Sequence, residues 1–278
     1  MQKDEMNGVQ KQRTLRGPVT VTGTGLQTGN KASLTLQEAP ADSGINFIRN
    51  DLPNKPCIHI QSFNFDDFAK DRRSTVGFEG AQVQTVEHLM AALSALSIDN
   101  IVIELNGEEL PGLDGSAQGY FDALKNAGYT EQDAPKKEII LESPVWHQVG
   151  ETLLAAFPYF GLKLSCMISY KDPSIGTQYL SLEIDESVFE NEIAPARTFC
   201  LKKEAITLLE QGFGKGANYE NTLVMGKNGP INNTLRFPDE PVRHKMLDLL
   251  GDLYLTGYRL RAHVVAIRSG HRHNFAMV

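Results

Sequence analysis

A histidine near the start of a helix occurs in both halves of this chain, each time after a run of strand-like residues. His88 falls in the helix pattern of residues 85–96, and His244 falls in that of residues 241–253. Alternating apolar and polar residues, the pattern of half-buried strands, precede each helix. No period of 20–50 residues recurs, so the chain is not a solenoid of short repeats. A duplicated α+β unit with a metal ion between its halves would account for this order.

Residues 241–253 carry the strongest helix pattern. Pro241 suits the first helical turn, where a missing N–H costs nothing, and an apolar stripe recurs at helical spacing. On the opposite side His244, Asp248 and Asp252 are four residues apart. Because residues i and i+4 lie above one another, His244 and Asp248 project together and can hold a metal ion. The alternative is a solvated polar face with a His–Asp contact, and this helix by itself favours that alternative.

Residues 85–96 predict a second amphipathic helix, with Thr85 as its N-cap and Glu87 in its first turn. Glu87 and His88 are adjacent and therefore point about 100° apart. At the first turn of a helix both side chains can still border one cleft. His88 can then bind a metal ion while Glu87 lies beside the metal's water, although a Glu-His pair alone is weak support for such a site.

Other histidines lie in or after strand patterns. His271 follows the strand pattern of residues 261–267, directly after a Ser-Gly pair. Catalytic groups are often displayed on loops at strand ends, so His271 is a candidate for the site. His59 and His263 fall inside alternating strand patterns, and we predict structural roles for both.

Three glycines fall within residues 23–29, between strand patterns at residues 19–22 and 32–36. A phosphate-binding loop requires a helix after the glycines, and here a strand follows, so neither a Rossmann nor a P-loop motif is present. We predict a strand connection. The alternative is a loop brought close to the active site.

The polar stretch at residues 130–137, which contains Pro135, is the best candidate for a domain boundary. It predicts an N-terminal domain over residues 1–130 and a C-terminal domain over residues 135–278. Residues 1–13 are polar and are expected to form a loose lead-in.

Composition narrows the class of protein. A net charge of −7 with no basic run argues against nucleic-acid binding, which needs clustered Lys and Arg. Three scattered cysteines without a C-x-x-C motif fit reduced thiols. The N-terminus lacks the apolar core of a signal peptide, and no run of about 18 apolar residues would span a membrane. We therefore expect a cytoplasmic protein without a transmembrane segment, and a monomer by default.

The short motifs together resemble one known family, the zinc-dependent UDP-3-O-acyl-N-acetylglucosamine deacetylases of bacterial lipid A synthesis. Each motif alone has little specificity for the family, but together the motifs follow the family's order over nearly the whole chain. The motifs are Thr85-Val86-Glu87-His88-Leu89, Leu113-Asp114-Gly115-Ser116-Ala117, Ala196-Arg197-Thr198-Phe199, Val242-Arg243-His244-Lys245-Met246-Leu247-Asp248, Gly251-Asp252-Leu253 and Ser269-Gly270-His271. The resemblance implies an α+β fold of two similar domains, each a β-sheet packed with two helices, with the active site at the domain interface.

The resemblance also implies the metal ligands and the acid–base groups. His88, His244 and Asp248 would bind Zn²⁺. Glu87 would be the general base that acts on the metal-bound water. His271 would stabilise the oxyanion or protonate the leaving amine. The implied reaction removes the N-acetyl group of UDP-3-O-acyl-N-acetylglucosamine as acetate, the committed step of lipid A biosynthesis.

Further roles are implied for residues around these groups. Asp252 would orient the catalytic histidine through a hydrogen bond. Thr198 would help to polarise the amide carbonyl, and Phe199, in the same motif, is counted among the substrate-binding residues. Lys245 would contact the phosphate or sugar region. Tyr170 aligns with an aromatic residue that stacks on the uracil.

Residue chemistry agrees with these roles. Two imidazoles and one carboxylate leave a fourth tetrahedral position open, which is typical of catalytic zinc. Zinc lowers the pKa of bound water to about 7, and a base and an acid each contribute about 10²–10⁴ in rate. One alternative is a zinc amidase with a different N-acyl sugar or peptide substrate. A second is a non-catalytic binding module on the same fold, which would have no need to retain these groups.

The chain departs from the family pattern at several points. Gln27 stands where the family usually has His, so we assign it no catalytic role. Thr152 stands where the family often has a cation for the nucleotide phosphates, and the chain ends soon after His271, where the family continues into a further helix. Residues 172–196 are expected to help form an apolar groove for the fatty acyl chain, because they lie between strands and precede Thr198.

Overall fold

The computed structural model describes residues 10–60 and 72–278, and the fold is α+β, as predicted. The strands of the N-terminal half are β1 (Lys11–Leu15), β2 (Val19–Thr24), β3 (Lys31–Glu38), β4 (Ile45–Arg49), β5 (Cys57–His59), β6 (Thr75–Phe78), β7 (Ala81–Gln84), β8 (Ile101–Asn106) and β9 (Tyr129–Pro135). The strands of the C-terminal half are β10 (Glu138–Ile140), β11 (Val145–Val149), β12 (Thr152–Pro158), β13 (Leu162–Ser169), β14 (Thr177–Glu183), β15 (Phe199–Leu201), β16 (Leu223–Gly226), β17 (Gly229–Pro230) and β18 (Arg259–Ile267). The helices are α1 (Glu87–Ala95), α2 (Gln118–Ala127), α3 (Glu186–Val188), α4 (Lys202–Glu210), α5 (Glu240–Leu253) and α6 (His271–Met277), with a π-helical turn at Phe189–Ile193 and a 3₁₀ turn at Tyr254–Thr256.

The two larger sheets share one strand order. The first has the order β2-β3-β8-β4-β5, and its central strand β8 runs antiparallel to β3 and parallel to β4. The second has the order β11-β12-β18-β13-β14, and its central strand β18 runs antiparallel to β12 and parallel to β13. One helix precedes each central strand in the chain and another follows it, namely α1 and α2 in the first half and α5 and α6 in the second. The predicted duplication of an α+β unit is therefore confirmed at the level of topology.

Helices α1 and α5 pack against each other and are buried on nearly all sides. Helix α5 also packs against α6, β13 and β14, and α1 packs against α2. Twelve of the 14 residues of α5 are buried, including His244 and Asp248 at 2% and 3% exposure. The solvated-face alternative for this helix is therefore wrong. Buried polar side chains cost free energy unless they are paired, so this face requires specific partners.

Gly251 allows α1 and α5 to approach closely. A Cβ atom placed on Gly251 would lie 2.0 Å from the carbonyl oxygen of Glu87, far inside van der Waals contact. The obstacle is backbone, which cannot rotate away as the end of a flexible side chain can. The glycine therefore determines how near Glu87 lies to α5.

Gly251→Ala is expected to destabilise the protein by about 1–3 kcal/mol, the usual cost of overpacking a core. The direction of the change in the free energy of unfolding distinguishes the two effects. Without the clash, Ala in a helix interior would be about 1 kcal/mol more favourable than Gly. Urea denaturation followed by circular dichroism measures the change. Gly17→Ala is the control, since a Cβ there meets nothing within 4 Å. An unchanged unfolding midpoint for Gly251→Ala would contradict the prediction.

Some local expectations differ from the structure. Of the predicted lead-in, residues 1–9 lie outside the described residues, and residues 11–13 belong to β1, which pairs with β9. The polar stretch at 130–137 contains most of β9. Pairing with β1 explains this, because a polar sequence can form a strand where one face remains exposed. Within the described residues, no helix is long and apolar enough to cross a membrane.

Thr85 was predicted to be the N-cap of α1, and the structure shows that it is not. The cap position is Val86, without a side-chain cap bond, and Thr85 has a φ of +59°. The Thr85 hydroxyl instead donates to the buried carboxylate of Glu109 at 3.0 Å, and its N–H donates to the carbonyl of Ser74 at 2.8 Å. Positive φ is unfavourable for a β-branched residue, so these two bonds hold a strained entry to the helix.

Candidate metal centre and active site

The three predicted metal ligands converge where α1 faces α5. The Nε2 atom of His244 lies 3.4 Å from Oδ1 of Asp248, and Nε2 of His88 lies 3.9 Å from the same oxygen. One ligand atom from each residue lies within 4.8 Å of the others. The two imidazoles meet edge to face with ring centroids 5.1 Å apart. Helix α5 supplies two ligands one turn apart, as the i, i+4 spacing predicted, and α1 supplies the third.

Both histidines are held in the neutral form that binds metals. Burial lowers the pKa of His88 to about 3, helped by the neighbouring His244, and burial also lowers the pKa of His244. The Nδ1 atom of His244 lies 3.0 Å from the carbonyl oxygen of Ala196. With its proton on Nδ1, His244 directs the lone pair of Nε2 towards Asp248.

Asp248 is ionised and divides its two oxygens between the histidines and a lysine. Burial alone would raise its pKa, but the charge of Lys245 and the three nearby imidazoles together hold the pKa below its usual range. Lys245 Nζ donates to Oδ2 at 2.6 Å, whereas the other carboxylate oxygen, Oδ1, faces His244. The same pairing raises the pKa of Lys245 against the opposing effect of burial.

Glu87 and His271 lie side by side next to the ligand group. The Nε2 atom of His271 is 3.9 Å from Oε1 of Glu87 and 3.9 Å from Oδ2 of Asp248, while its Nδ1 is 2.8 Å from Oδ2 of Asp252. Burial alone would lower the pKa of His271, but the charge and hydrogen bond of Asp252 raise it to about 9. Burial raises the pKa of Glu87 to about 7. One group therefore carries a proton at neutral pH, and the other is able to accept one.

Thr198, Phe199 and Tyr170 line the same cavity as these groups. The ring of Phe199 lies 5.8 Å from that of Tyr170 and 6.3 Å from the imidazole of His244. The backbone N–H of Thr198 donates to the carbonyl of Gly115 at 2.8 Å, which fixes the segment beside the ligand group. The structure thus brings the predicted substrate-binding residues to the predicted metal site.

The cavity has a volume of about 720 Å³ and one largely apolar wall. That wall comes from α4 and the loop after it, through Ala205, Ile206, Leu208, Leu209 and Phe213. Residues 172–196, which were expected to form the apolar groove, do not line this cavity. Helix α4 has no buried residue, so its apolar side faces the cavity rather than a packed core.

The glycine-containing connection between β2 and β3 also reaches the cavity, through Leu26 and Gln27. Gln27 Oε1 accepts a hydrogen bond from the N–H of Gly214 at 3.1 Å. The buried Glu109 carboxylate accepts from the N–H groups of Gln27 and Thr28, both at 2.8 Å. The segment is therefore a strand connection, as predicted, and at the same time a loop near the site.

Comparison with known proteins shows the family of this chain. The family model described as "LpxC: UDP-3-O-acyl N-acetylglycosamine deacetylase" matches residues 12–278. The chain belongs to this deacetylase family. A UDP-3-O-acyl-N-acetylglucosamine deacetylase of Bdellovibrio bacteriovorus is 40% identical over 261 residues, which is 94% of this chain and 86% of that protein. The deacetylase of Chlamydia abortus is 42% identical over 268 residues, 96% of this chain and 95% of that protein. A bifunctional LpxC/FabZ enzyme of Chlorobaculum tepidum is 37% identical over 296 residues, and the match spans 96% of this chain and 63% of that longer protein.

The donor set of this deacetylase-family chain fits a divalent metal ion. Two neutral imidazoles and one carboxylate are three ligands, which leaves one position of a tetrahedral site open. The ligands also have orienting partners, the carbonyl of Ala196 for His244 and the ammonium of Lys245 for Asp248. Such outer contacts are what fix metal-binding side chains in place.

Sequence reasoning missed two residues that contact the acid–base groups. The N–H of Ser74 donates to Oε2 of Glu87 at 3.0 Å, and Asn274 Nδ2 donates to Oδ2 of Asp252 at 2.7 Å. Neither residue lies in one of the family motifs, and a single Ser or Asn carries no periodic signal. The apolar wall was more accessible to prediction, because Ala205, Ile206, Leu208 and Leu209 lie close together in one short helix.

Proposed function

We propose that this protein hydrolyses the N-acetyl group of UDP-3-O-acyl-N-acetylglucosamine and releases acetate, the committed step of lipid A biosynthesis. One observation carries the proposal: a His–His–Asp group, a buried carboxylate and a protonated imidazole line one cavity. Hydrolysis of an amide requires a polarised carbonyl, a base for water and an acid for the leaving amine. The substrate in this proposal is the one for which the related deacetylases are named.

The metal in this proposal is Zn²⁺, held by His88, His244 and Asp248. Imidazole nitrogen and carboxylate oxygen are common zinc ligands, and three of them with an open position characterise catalytic sites. When bound, zinc supplies Lewis acidity, which polarises a carbonyl oxygen and brings the pKa of water to about 7.

In the proposed reaction Glu87 is the general base and His271 is the acid. The ionised carboxylate of Glu87 takes a proton from the attacking water, and the raised pKa makes it a stronger base than an ordinary glutamate. His271 carries a proton on Nε2 and gives it to the leaving amine, or holds it against the developing oxyanion. Asp252 accepts the Nδ1 proton and so keeps the imidazole in this orientation.

The remaining residues bind the substrate. The Thr198 hydroxyl donates to the amide carbonyl, and Lys245 supplies a cation for the phosphate or sugar region. The rings of Phe199 and Tyr170 offer flat apolar surfaces to the sugar and the uracil. The apolar wall formed by α4 suits the fatty acyl chain, because burying each methylene contributes about 0.8 kcal/mol.

We also infer two domains, residues 1–130 and 135–278, that meet along α1 and α5 with the active site at their interface. The first large sheet ends at Asn106 and the C-terminal strands begin at Glu138, and strand β9, which pairs with β1, spans the segment between the two proposed domains. The three cysteines are free thiols, which supports a cytoplasmic location. The monomer is the proposed functional unit.

The zinc-loaded protein is expected to release acetate and one free amine per molecule of UDP-3-O-acyl-N-acetylglucosamine. Removing the metal with a chelator should abolish turnover, and added Zn²⁺ should restore it, because the main Lewis acid of the proposed site would otherwise be missing. Quantification of acetate and of the amine product measures both effects. N-acetylglucosamine without UDP or the acyl chain is the comparison substrate. Faster release from that substrate would favour an amidase for another N-acyl sugar, and full activity without metal would refute the zinc mechanism.

A further inference from the structure

Ser74 contacts three groups of the proposed acid–base machinery. Ser74 is fully buried, and its N–H donates to Oε2 of Glu87 at 3.0 Å. Its hydroxyl donates to Oδ1 of Asp252 and lies 3.1 Å from Nδ1 of His271. One residue therefore contacts the base through its backbone, and the acid and the carboxylate that orients the acid through its hydroxyl.

The hydroxyl of Ser74 determines where the protons of this cluster lie. It has a single proton, which goes to Asp252, so its oxygen is free to accept. The Nδ1 proton of His271 is then shared between Oδ2 of Asp252 at 2.8 Å and Oγ of Ser74 at 3.1 Å. With Nδ1 held in this way, Nε2 faces Glu87, where the proposed reaction needs it.

The backbone of Ser74 fixes the position of Glu87 as well. The Ser74 carbonyl accepts hydrogen bonds from the N–H groups of Thr85 at 2.8 Å and Val86 at 3.4 Å. These are the two residues directly before Glu87, which begins α1. Ser74 thus restrains Glu87 through the backbone ahead of it and through its carboxylate.

We propose that Ser74 is a positioning residue that keeps the Glu87 carboxylate and the His271–Asp252 pair in one arrangement. The inference rests on the proposed function, because it requires Glu87 and His271 to act as base and acid. Ser74 does not line the cavity, and none of the hydrogen bonds described for it goes to a proposed metal ligand. It therefore acts through its neighbours and not on the substrate or the metal.

Ser74→Ala removes the hydroxyl and keeps the backbone N–H. We expect kcat to fall about 10–100-fold, by analogy with the loss of an outer hydrogen-bond partner of a metal-binding side chain. KM and metal content should be unchanged, because Ser74 touches neither the cavity nor a ligand. Ser74→Thr, which retains the hydroxyl, should recover most of the lost kcat. Ser165→Ala is the matched control, since that buried serine bonds to Ser181 and His263 instead.

A second readout is the NMR signal of the Nδ1 proton of His271, which should shift in Ser74→Ala and return towards its original position in Ser74→Thr. If Ser74 only supported the fold, Ser74→Ala would lower the midpoint of thermal unfolding, but the NMR signal would not shift and then return in Ser74→Thr. If Ser74→Ala does not fold, Ser74→Cys replaces it in the experiment. The thiol is similar in size to the hydroxyl but is only a weak hydrogen-bond donor. The kcat of Ser74→Cys should therefore fall below that of the wild type, by less than the 10–100-fold expected for complete loss of the hydroxyl.

Wild-type kcat in Ser74→Ala, or a loss of kcat that merely parallels a loss of metal, would overturn the inference and leave the proposed function intact. Failure of Ser74→Thr to regain activity in a folded, metal-loaded protein would also overturn it. Absence of acetate release by the wild-type protein would instead refute the proposed function, and the positioning role with it.

Discussion

Glu87→Gln is expected to lower kcat by about 10²–10⁴-fold, the contribution typical of a general base. The amide keeps the size of the side chain and an oxygen that can accept the N–H of Ser74, which lies at 3.0 Å in the wild-type protein. It cannot take up a proton from water, so only the chemical step is affected. Metal content and KM should stay as in the wild type. Steady-state kinetics of acetate release together with metal analysis test this result.

Glu104→Gln is the control for removing one carboxylate charge. Glu104 lies on β8, accepts a hydrogen bond from Asn50 and does not line the cavity, so its substitution should leave kcat unchanged. Undiminished turnover in Glu87→Gln would remove Glu87 from the mechanism. Loss of the metal in that variant would mean that the carboxylate is a ligand and not a base.

His88→Ala is expected to lose both the metal and the activity. The substitution removes the only ligand of the three that α1 provides and leaves His244 and Asp248, two groups on one face of α5. Lewis acidity is worth several kcal/mol in such sites, and each 1.4 kcal/mol is about tenfold in rate, so the loss should be at least about 10³-fold. Dialysis followed by metal analysis, with kinetics on the same sample, measures both losses.

His271→Ala is the matched control, because it also removes a buried histidine from the same cavity. It should keep the metal and lose most of its turnover, since His271 serves as acid and not as ligand. The geometry offers a definite competing outcome. Ligand atoms of Glu87, Asp248 and His271 also lie within 4.8 Å of one another. If His271→Ala lost the metal while His88→Ala retained it, this second group would be the metal site.

The helix that carries His244 and Asp248 was predictable because its signals are local. Pro241 in the first turn, the apolar stripe and the four-residue spacing of the polar groups all act within the helix itself. The structure confirms the helix over Glu240–Leu253. The strand Lys31–Glu38 was predictable for the same reason, since the alternation at residues 32–36 depends on neighbouring residues alone.

The surroundings of these elements were not predictable in the same way. The helix of His244 and Asp248 by itself favours a solvated face, and its burial follows from long-range packing against β13, β14, α6 and α1, which approaches closely at Gly251. Thr85 is a residue type that often serves as an N-cap, but its hydroxyl donates a hydrogen bond to the distant Glu109 carboxylate instead. At Thr85 a long-range contact outweighs a local capping preference of about 1 kcal/mol.

Sequence by itself determined the local elements of this protein and, through a combination of motifs in a fixed order, its family and its candidate ligands. Tertiary structure alone decided which polar groups are buried, which carry protons and which hold the others in place. The hydrogen bonds of Ser74 join it to residues 13, 178 and 197 positions away, on three different helices. No pattern of neighbouring residues encodes such contacts, because they form only when the two halves of the chain pack together.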